Sequence, residues 1–357
     1  MVRVVVVVVV MILAVVMMPL CSRALDVNKL RQLAAKKNIT CILVFGDSSV
    51  DPGNNNRLTT TFKGNFAPYG KDFINGLPTG RFSNGRLATD FIAEAFGYTT
   101  IIPGFLERNL KKEELLHGIS FASAASGYDD LTANFTNVLP VSKQLQYLLH
   151  YKIQLRRLVG VKRTEEIIRN AIFILSMGTN DFIQNYFLEP NRSKQFSLEE
   201  YENYLTACMF NDIKIMHSLG ATRLAVVGIP PLGCMPIVKT LMGATKCVDS
   251  YNKASLSFNS KMRAKLATLS LGVKNAYIDT YDIVVRAMAS PEKYGFEVTS
   301  KGCCGSGTFE FGETCKGLIT CKDPTKYVFW DAVHPTEKMY RLIADEALAS
   351  LNDNLLV

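Results

Sequence analysis

The sequence predicts an α/β protein in which a mostly parallel sheet is covered by helices on both faces. Strand-like apolar runs alternate along the chain with segments whose apolar residues recur every three or four positions. The strand-like runs are short and almost wholly apolar, which is typical of strands buried on both sides. The chain has 357 residues, of which 48% are hydrophobic, and it can therefore fill at least one complete core. This composition excludes a disordered or fibrous protein.

The elements can be assigned in order along the chain. Strands are predicted at 41–45, 118–122, 172–177, 224–229 and 276–278. Helices are predicted at 142–157, 198–219, 251–271 and 337–351, with Pro335 just before the last of them. Two irregular stretches remain, 51–86 and 303–326, and long loops in compact domains are often functional. Because no linker is visible, we expect one domain over residues 25–357.

The first 24 residues have the features of a secretory signal peptide. Arg3 precedes an uninterrupted apolar stretch over 4–18, and Ser22-Arg23-Ala24 offers small residues at the two positions that a signal peptidase reads. Pro19 and the polar exit favour cleavage over the alternative, a retained membrane anchor. We expect the mature protein to be secreted and extracellular. No second apolar run is long enough to span a bilayer, so stable membrane insertion is not expected.

The cysteines agree with export. Cys21 leaves with the signal, and the eight that remain are an even number. Disulfides are predicted among the last six, with the connectivity left open: Cys234, Cys247, Cys303, Cys304, Cys315 and Cys321. The chain has no C-x-x-C pair and no histidine at zinc-finger spacing, so we expect neither a metal nor another cofactor. Sequons predict glycosylation at Asn38, Asn134 and Asn191.

The charge balance argues against a nucleic-acid partner. The formal net charge is +8, but 40 basic against 32 acidic residues is a mild excess over a chain of this length. Neither a block of Lys and Arg nor a basic-aromatic stripe is present. We therefore expect a small-molecule or lipid partner.

Four polar motifs are predicted to form the functional site. In an open parallel α/β sheet, ligands bind beyond the carboxyl ends of the strands. Three of the motifs follow the first three predicted strands, and the fourth precedes the last helix. They are Gly46-Asp47-Ser48-Ser49, Ser123-Ala124-Ala125-Ser126-Gly127, Gly178-Thr179-Asn180-Asp181, and Asp331-Ala332-Val333-His334.

These motifs contain the parts of a serine nucleophile with its base. Such a serine needs a base, and the base needs a carboxylate that fixes its tautomer. Of the four histidines, His150 and His217 lie within predicted helices, and His117 lies at the amino end of a strand. His334 alone lies in a loop, three residues after Asp331, a spacing that brings both side chains to one side of a turn.

Donors for a developing oxyanion are present in the same motifs. A tetrahedral intermediate is stabilised by two or three N–H groups that point at its negative charge. Candidates are the backbone N–H groups of Ser48 and Gly127 and the side-chain amide of Asn180. The alternative is that Gly127 and Asn180 are only turn formers.

Taken together, these residues resemble the SGNH hydrolase superfamily, and specifically the plant GDSL esterase/lipase family. The resemblance covers essentially the whole mature chain. Further matching stretches are 51–56, 78–86, 228–234, 294–296 and 302–305. One departure is visible: the family usually has leucine after the nucleophile, and this chain has Ser49.

The resemblance implies a flavodoxin-like three-layer α/β/α sandwich, the SGNH hydrolase fold, and a hydrolase of carboxylic esters. It implies that Ser48 is the nucleophile, His334 the base and Asp331 the residue that orients the base. It also implies Ser48, Gly127 and Asn180 as the oxyanion donors. The chain contains no G-x-S-x-G motif, which argues against the ordinary α/β-hydrolase fold.

Two alternatives to hydrolysis remain open from the sequence. An acyltransferase would use the same triad with an alcohol as acceptor, and a non-catalytic secreted glycoprotein would bind lipid or polysaccharide. The stretches 51–86 and 128–140 are expected to shape the acyl pocket. Four aromatic residues are candidates for its lining, with packing inside the loop as the alternative: Phe62, Phe66, Tyr69 and Phe73.

Overall fold

The central sheet has five parallel strands in the order β2-β1-β3-β4-β5. The computed structural model describes residues 26–270 and 272–357. The strands are β1 (Ile42–Gly46), β2 (Gly118–Ser120), β3 (Ile172–Ser176), β4 (Arg223–Val227) and β5 (Lys274–Ile278). All five predicted strands are therefore confirmed, and β2 is shorter than predicted. Because every neighbouring pair is parallel, the carboxyl ends of the strands lie along one edge.

Helices cover both faces of this sheet, which confirms the three-layer α/β/α architecture. The helices are α1 (Val27–Lys36), α2 (Ala88–Phe96), α3 (Asp130–Thr136), α4 (Val141–Asn170), α5 (Leu198–Ser218), α6 (Pro236–Leu241), α7 (Asp249–Ala267), α8 (Thr280–Ala289) and α9 (Glu337–Leu351). One group of contacting helices is α1, α2, α8 and α9, and a second group is α4, α5 and α7. Helix α9 has the predicted bounds, and the Thr336 side chain caps it by accepting from the N–H of Met339.

Several helices differ from the prediction. Five helices were not predicted, namely α1, α2, α3, α6 and α8. Helix α4 continues past residue 157 to Asn170 through a non-helical Gly160. Its second half is dominated by charged residues and has no clear apolar period. Helix α2 was not predicted; it has only nine residues, begins just after the irregular stretch 51–86 and is buried at every position but Glu94. Helix α7 spans Asp249–Ala267 and so ends before the predicted bound at residue 271, which itself lies outside the described residues.

A small two-stranded sheet brackets the second irregular stretch. Strand β6 (Val298–Gly302) pairs in parallel with β7 (Tyr327–Phe329). Between them, disulfides join Cys303 to Cys321 and Cys304 to Cys315, and a third joins Cys234 to Cys247. The prediction of disulfides among the last six cysteines is thus confirmed. The N–H groups of Cys303 and Cys304 both donate to the carbonyl of Trp330, so this stapled segment lies directly against the residue before Asp331.

The predicted signal peptide, residues 1–24, lies outside the described residues. Within 26–270 and 272–357, no helix combines the length and the apolar character needed to cross a bilayer. The largest buried apolar cluster runs from Leu30 to Leu356 and so joins both ends of the described chain.

Candidate active site

The sequence motifs converge at the carboxyl edge of the sheet. Ser48 lies two residues after β1, and Asn180 follows β3. Gly127 follows β2 at the end of a turn. His334 lies in the loop between β7 and α9, so the fourth motif follows the small sheet rather than a strand of the central one. The remaining histidines lie elsewhere: His117 and His150 are exposed, and His217 is on α5.

A serine, an imidazole and a carboxylate form a continuous line of contacts. The Nε2 atom of His334 lies 2.8 Å from Oγ of Ser48. On the other side of the ring, Nδ1 lies 2.8 Å from Oδ2 and 3.0 Å from Oδ1 of Asp331. Asp331 and His334 are buried, whereas Ser48 is partly accessible. This geometry lets the imidazole accept a proton from the hydroxyl while the carboxylate holds the ring.

The carboxylate is itself fixed by the turn in which it lies. Oδ1 of Asp331 accepts from the N–H of Val333 at 2.8 Å and from the N–H of His334 at 2.7 Å. The D-x-x-H spacing therefore closes a turn that leaves Oδ2 facing the imidazole. The ring of Phe82 lies 4.7 Å from the His334 ring, centroid to centroid, and packs one face of the base.

Tyr69 provides a further contact that the sequence did not reveal. Its hydroxyl donates to Oδ2 of Asp331 at 2.7 Å and accepts from the N–H of Gly312 at 2.7 Å. Burial, reinforced by the charge of Asp331, raises the pKa of Tyr69 well above its usual value. The phenol therefore stays protonated and remains a donor. From the sequence, Tyr69 was a candidate for the pocket lining. The one feature that could have suggested its contact with Asp331 is its hydroxyl group.

The candidate oxyanion donors differ in how they are held. The N–H groups of Ser48 and Gly127 have no hydrogen-bond partner among the described residues. One amide hydrogen of Asn180 is bonded to the carbonyl of Ser126 at 2.9 Å, and Oδ1 of Asn180 accepts from Gln184 at 3.2 Å. Asn180 therefore links the end of β3 to Ser126, the residue before Gly127. Its second amide hydrogen takes part in neither of these two hydrogen bonds.

Asp181 explains why residue 127 is a glycine. A Cβ atom at Gly127 would lie 2.2 Å from Oδ1 of Asp181. The Asp181 carboxylate accepts from the N–H groups of Tyr128 and Asp129, at 2.9 and 3.2 Å, and from the Thr132 hydroxyl at 2.6 Å. Burial raises the pKa of Asp181 to about 7. This carboxyl group sets the path of the turn that carries Gly127, a role that the motif alone did not reveal.

Ser49 has a different environment from Ser48. Its hydroxyl donates to Oδ1 of Asp47 at 2.7 Å and lies 2.9 Å from the hydroxyl of Ser176. The N–H of Ser49 donates to the same Asp47 oxygen at 2.9 Å. Burial raises the pKa of Asp47 to about 6. A Cβ at Gly46, where φ is +153°, would lie 2.1 Å from the Ser176 carbonyl, so this tight approach requires glycine.

Two cavities meet at the serine. The outer cleft has a volume of about 400 Å³, and its lining includes Phe62, Phe82, Phe135 and Phe309. The inner cavity has a volume of about 110 Å³ and lies between the sheet and the layer of α2, α8 and α9. Both are bordered by Ser48, Thr179, Asn180, Val333 and His334.

The aromatic residues of the first irregular stretch are mostly used inside it. Of the four candidates, Phe62 alone lines the outer cleft. Phe66 packs edge-on against Tyr69, and Phe73 lies beneath the Arg81 guanidinium. The alternative, packing of the loop itself, therefore holds for Phe66, Tyr69 and Phe73. From 128–140, Phe135 and Thr136 line the cleft. In the described part of the chain, no group of three His, Cys, Asp or Glu side chains is arranged to bind a metal.

Comparison with known proteins identifies the class. Residues 42–347 match the family model described as GDSL-like Lipase/Acylhydrolase. The fold, the residues at its carboxyl edge and this match define a carboxylic ester hydrolase. A GDSL esterase/lipase of Arabidopsis thaliana is 55% identical over 347 residues, 96% of this chain and 97% of that protein. A second one is 41% identical, covering 87% and 91%. The chain belongs to the plant GDSL esterase/lipase family.

Two solved structures align with this chain at much lower identity. A lipase from a goat rumen metagenome aligns with a TM-score of 0.41 at 11% identity, covering 88% of this chain and 99% of that one. The acetylxylan esterase Axe2 of Geobacillus stearothermophilus aligns with a TM-score of 0.36 at 13% identity, covering 87% and 94%.

Proposed function

We propose that the protein is an exported serine esterase/lipase that hydrolyses acyl or lipid-like carboxylic esters through an acyl-enzyme intermediate. Ser48 is the nucleophile, His334 the general base and Asp331 the residue that orients the base. The observation that supports this assignment best is the line of contacts from the Ser48 hydroxyl through both ring nitrogens of His334 to Asp331.

In the first half of the reaction, Nε2 of His334 removes the hydroxyl proton of Ser48 as Oγ attacks the ester carbonyl. Asp331 stabilises the imidazolium that forms. The tetrahedral intermediate collapses when the bond to the alcohol oxygen breaks, and the imidazolium protonates the departing alcohol. The acyl group remains bonded to Ser48.

In the second half, water enters on the side that the alcohol has left. His334 removes a proton from this water as its oxygen attacks the acyl-enzyme carbonyl. The bond to Oγ then breaks, the carboxylic acid leaves, and the proton returns from His334 to Ser48. None of these steps requires a metal or cofactor.

The negative oxygen of each tetrahedral intermediate needs donors that are already in place. The N–H groups of Ser48 and Gly127, which are free of intramolecular bonds among the described residues, and the second amide hydrogen of Asn180 supply three. Asp181 and Gln184 are positioning residues in this scheme, because they hold the turn and the amide that carry two of the donors.

Export is part of the proposal. It is supported by the signal-like segment at 1–24 and by the disulfides, which persist in oxidising compartments. The sequons at Asn38 and Asn134 lie at exposed positions, and Asn191 is partly exposed, so glycans there would not disturb the core. Residues 25–357 form a single catalytic domain in this proposal.

Two adjacent serines offer a matched test. We expect Ser48→Ala to lower kcat for p-nitrophenyl butyrate by several orders of magnitude and to abolish labelling by a fluorophosphonate. Ser49→Ala serves as the control, because Ser49 contacts Asp47 and Ser176, with no hydrogen bond to His334, and it should retain labelling. Hydrolysis by Ser48→Ala at a near wild-type rate would refute the assignment.

Supplying alcohols together with water and analysing the products separates hydrolysis from acyl transfer.

A further inference from the structure

We propose that the inner cavity is the subsite for the acyl chain, and that the outer cleft receives the alcohol part of the ester. This inference rests on the proposed function, because it concerns what is bound on each side of the Ser48 hydroxyl. It predicts a substrate that is an ester of a medium-length aliphatic acid.

The walls of the inner cavity suit an aliphatic chain. Its floor includes Ser176, Val227 and Ile278, which are in register across β3, β4 and β5 and therefore point to the same face of the sheet. Its roof includes Met339, Ile343 and Ala347, which recur every fourth residue along one face of α9. Apart from the mouth, the lining is mainly aliphatic.

The polar groups of this cavity are concentrated beside the nucleophile. Asp47, Ser49 and Ser176 form one hydrogen-bonded cluster there, so their polarity is largely satisfied within the protein. The buried hydroxyl of Tyr340 also lies on the wall and has no partner among the described residues. Two threonines, Thr89 and Thr280, also line the cavity, and the Thr280 hydroxyl donates to the carbonyl of Gly228. Few polar groups are left to give a buried water the two to four partners that it needs. An apolar guest therefore suits this space better than water does.

The order of the chemical steps assigns the two cavities. The acyl group stays bonded to Ser48 after the alcohol has left, and water must then reach its carbonyl from the alcohol side. None of the residues that line the inner cavity is exposed. The outer cleft is rimmed by exposed side chains, among them Phe135 (63% exposed) and Phe309 (50%). The cavity lined by buried and partly buried residues therefore suits the group that stays, and the cleft with exposed side chains at its rim suits the group that leaves.

The dimensions set the expected chain length. From Met339 to Ala347, α9 rises by roughly 12 Å, so the roof is long enough for an extended chain. The volume of the cavity is only about 110 Å³, so long chains exceed the space that it offers. We therefore expect kcat/KM to rise with acyl length to an optimum in the medium-chain range and then to fall.

Filling and enlarging the cavity should shift this optimum in opposite directions. Ala347→Phe places a ring in the part of the cavity farthest along α9 and should shorten the optimum acyl chain by several carbons. Ile343→Ala enlarges the cavity and should lengthen it. The matched control is Ala349→Phe, the same substitution at an exposed position of the same helix, which should leave the profile unchanged. The measurement is kcat/KM over p-nitrophenyl esters from acetate to palmitate.

The acetate ester and the fluorophosphonate separate the two proposals. Ala349→Phe borders neither cavity, so it should hydrolyse the acetate ester and label Ser48 within about twofold of wild type. In Ala347→Phe and Ile343→Ala, labelling of Ser48 reports whether the nucleophile is intact, independently of the chain-length profile. Unchanged chain-length profiles in Ala347→Phe and Ile343→Ala, with acetate hydrolysis intact, would overturn the subsite and leave the proposed function standing. If Ala347→Phe does not fold, Ile343→Ala alone decides. In the outer cleft, Phe309→Ala should alter the preference for the alcohol, and an altered acyl-length profile in that variant would also overturn the assignment.

Discussion

The hydroxyl of Tyr69 donates to Oδ2 of Asp331, the same oxygen that lies 2.8 Å from Nδ1 of His334. These two residues are separated by 262 positions in the sequence. Because Tyr69 also accepts from the N–H of Gly312, one phenol joins both irregular stretches to the carboxylate that holds the base. We regard Tyr69 as a positioning residue, since it acts on the reaction through Asp331.

Tyr69→Phe tests this role while preserving the ring that packs between Phe66, Phe82 and Trp330. A hydrogen bond to a charged group contributes about 1.5–3 kcal/mol, so we expect kcat to fall by roughly 10- to 100-fold. KM should change much less, because the hydroxyl borders neither cavity. Steady-state kinetics with the acetate ester measure both parameters. A fall in thermal stability with unchanged kcat would reduce Tyr69 to a structural role.

Asn180→Ala removes one candidate oxyanion donor. Loss of a single such donor lowers kcat by about 10²–10³ in other enzymes, and we expect an effect of that size here. Gln184→Ala removes only the hydrogen bond that orients the Asn180 amide, so its effect on kcat should be clearly smaller. Equal and small effects of both substitutions would show that Asn180 is a turn former, the alternative that the sequence left open.

Asp47→Asn should change the pH dependence of stability. Burial raises the pKa of Asp47 to about 6, from 3.8 in the unfolded chain. The folded state therefore holds this proton more tightly, and the resulting stability is present below pH 4 and lost as the pH rises to about 6. Asparagine keeps the oxygen to which Ser49 donates and stays neutral, so it avoids this loss. The free energy of unfolding is measured by denaturant titration at pH 4 and at pH 7.5. Its difference between variant and wild type should shift in favour of the variant by up to about 3 kcal/mol from the lower to the higher pH. A constant difference would contradict the shift.

A buried ion pair anchors the end of the stretch 51–86. The Arg81 guanidinium makes two hydrogen bonds of 2.9 Å to Asp90 of α2, with the two side chains 3% and 1% exposed. Asp90→Ala leaves the buried cation unpaired and should lower the free energy of unfolding by about 3–5 kcal/mol. The control is Glu166→Ala, which breaks the exposed pair with Arg163 and should cost less than about 1 kcal/mol. Chemical denaturation compares the two, and a similar small loss in both would contradict the expectation.

The sequence predicted those elements whose apolar residues form either one periodic stripe or one short continuous run. Helix α9 has one buried face and a threonine cap, and its bounds were predicted correctly. Strands β1 and β3 are buried along their whole length and appear as short apolar runs. Helix α2 was missed because it is short and follows closely on an irregular stretch. The charged second half of α4 has no apolar stripe that could have predicted it.

In the site, position along the chain was more informative than local pattern. Ser48, Asn180 and His334 were predicted from their places after strands or before a helix, and the structure brings Ser48 and His334 into contact. The role of Tyr69 was missed because its partner, Asp331, is distant in sequence. Its loop has no periodicity, so the sequence does not distinguish a hydroxyl that forms a hydrogen bond from one that lines a pocket. The role of Asp181 was missed for a related reason. A collision between its carboxylate and a side chain at residue 127 exists only in three dimensions.

The two halves of the reacting pair are 286 residues apart, one near each end of the described chain. Until the last part of the polypeptide has left the ribosome, a nascent chain carries the serine without its base. In the proposed mechanism, an incomplete chain therefore cannot attack esters in the compartment where it is made. Products truncated before His334 should be equally inert.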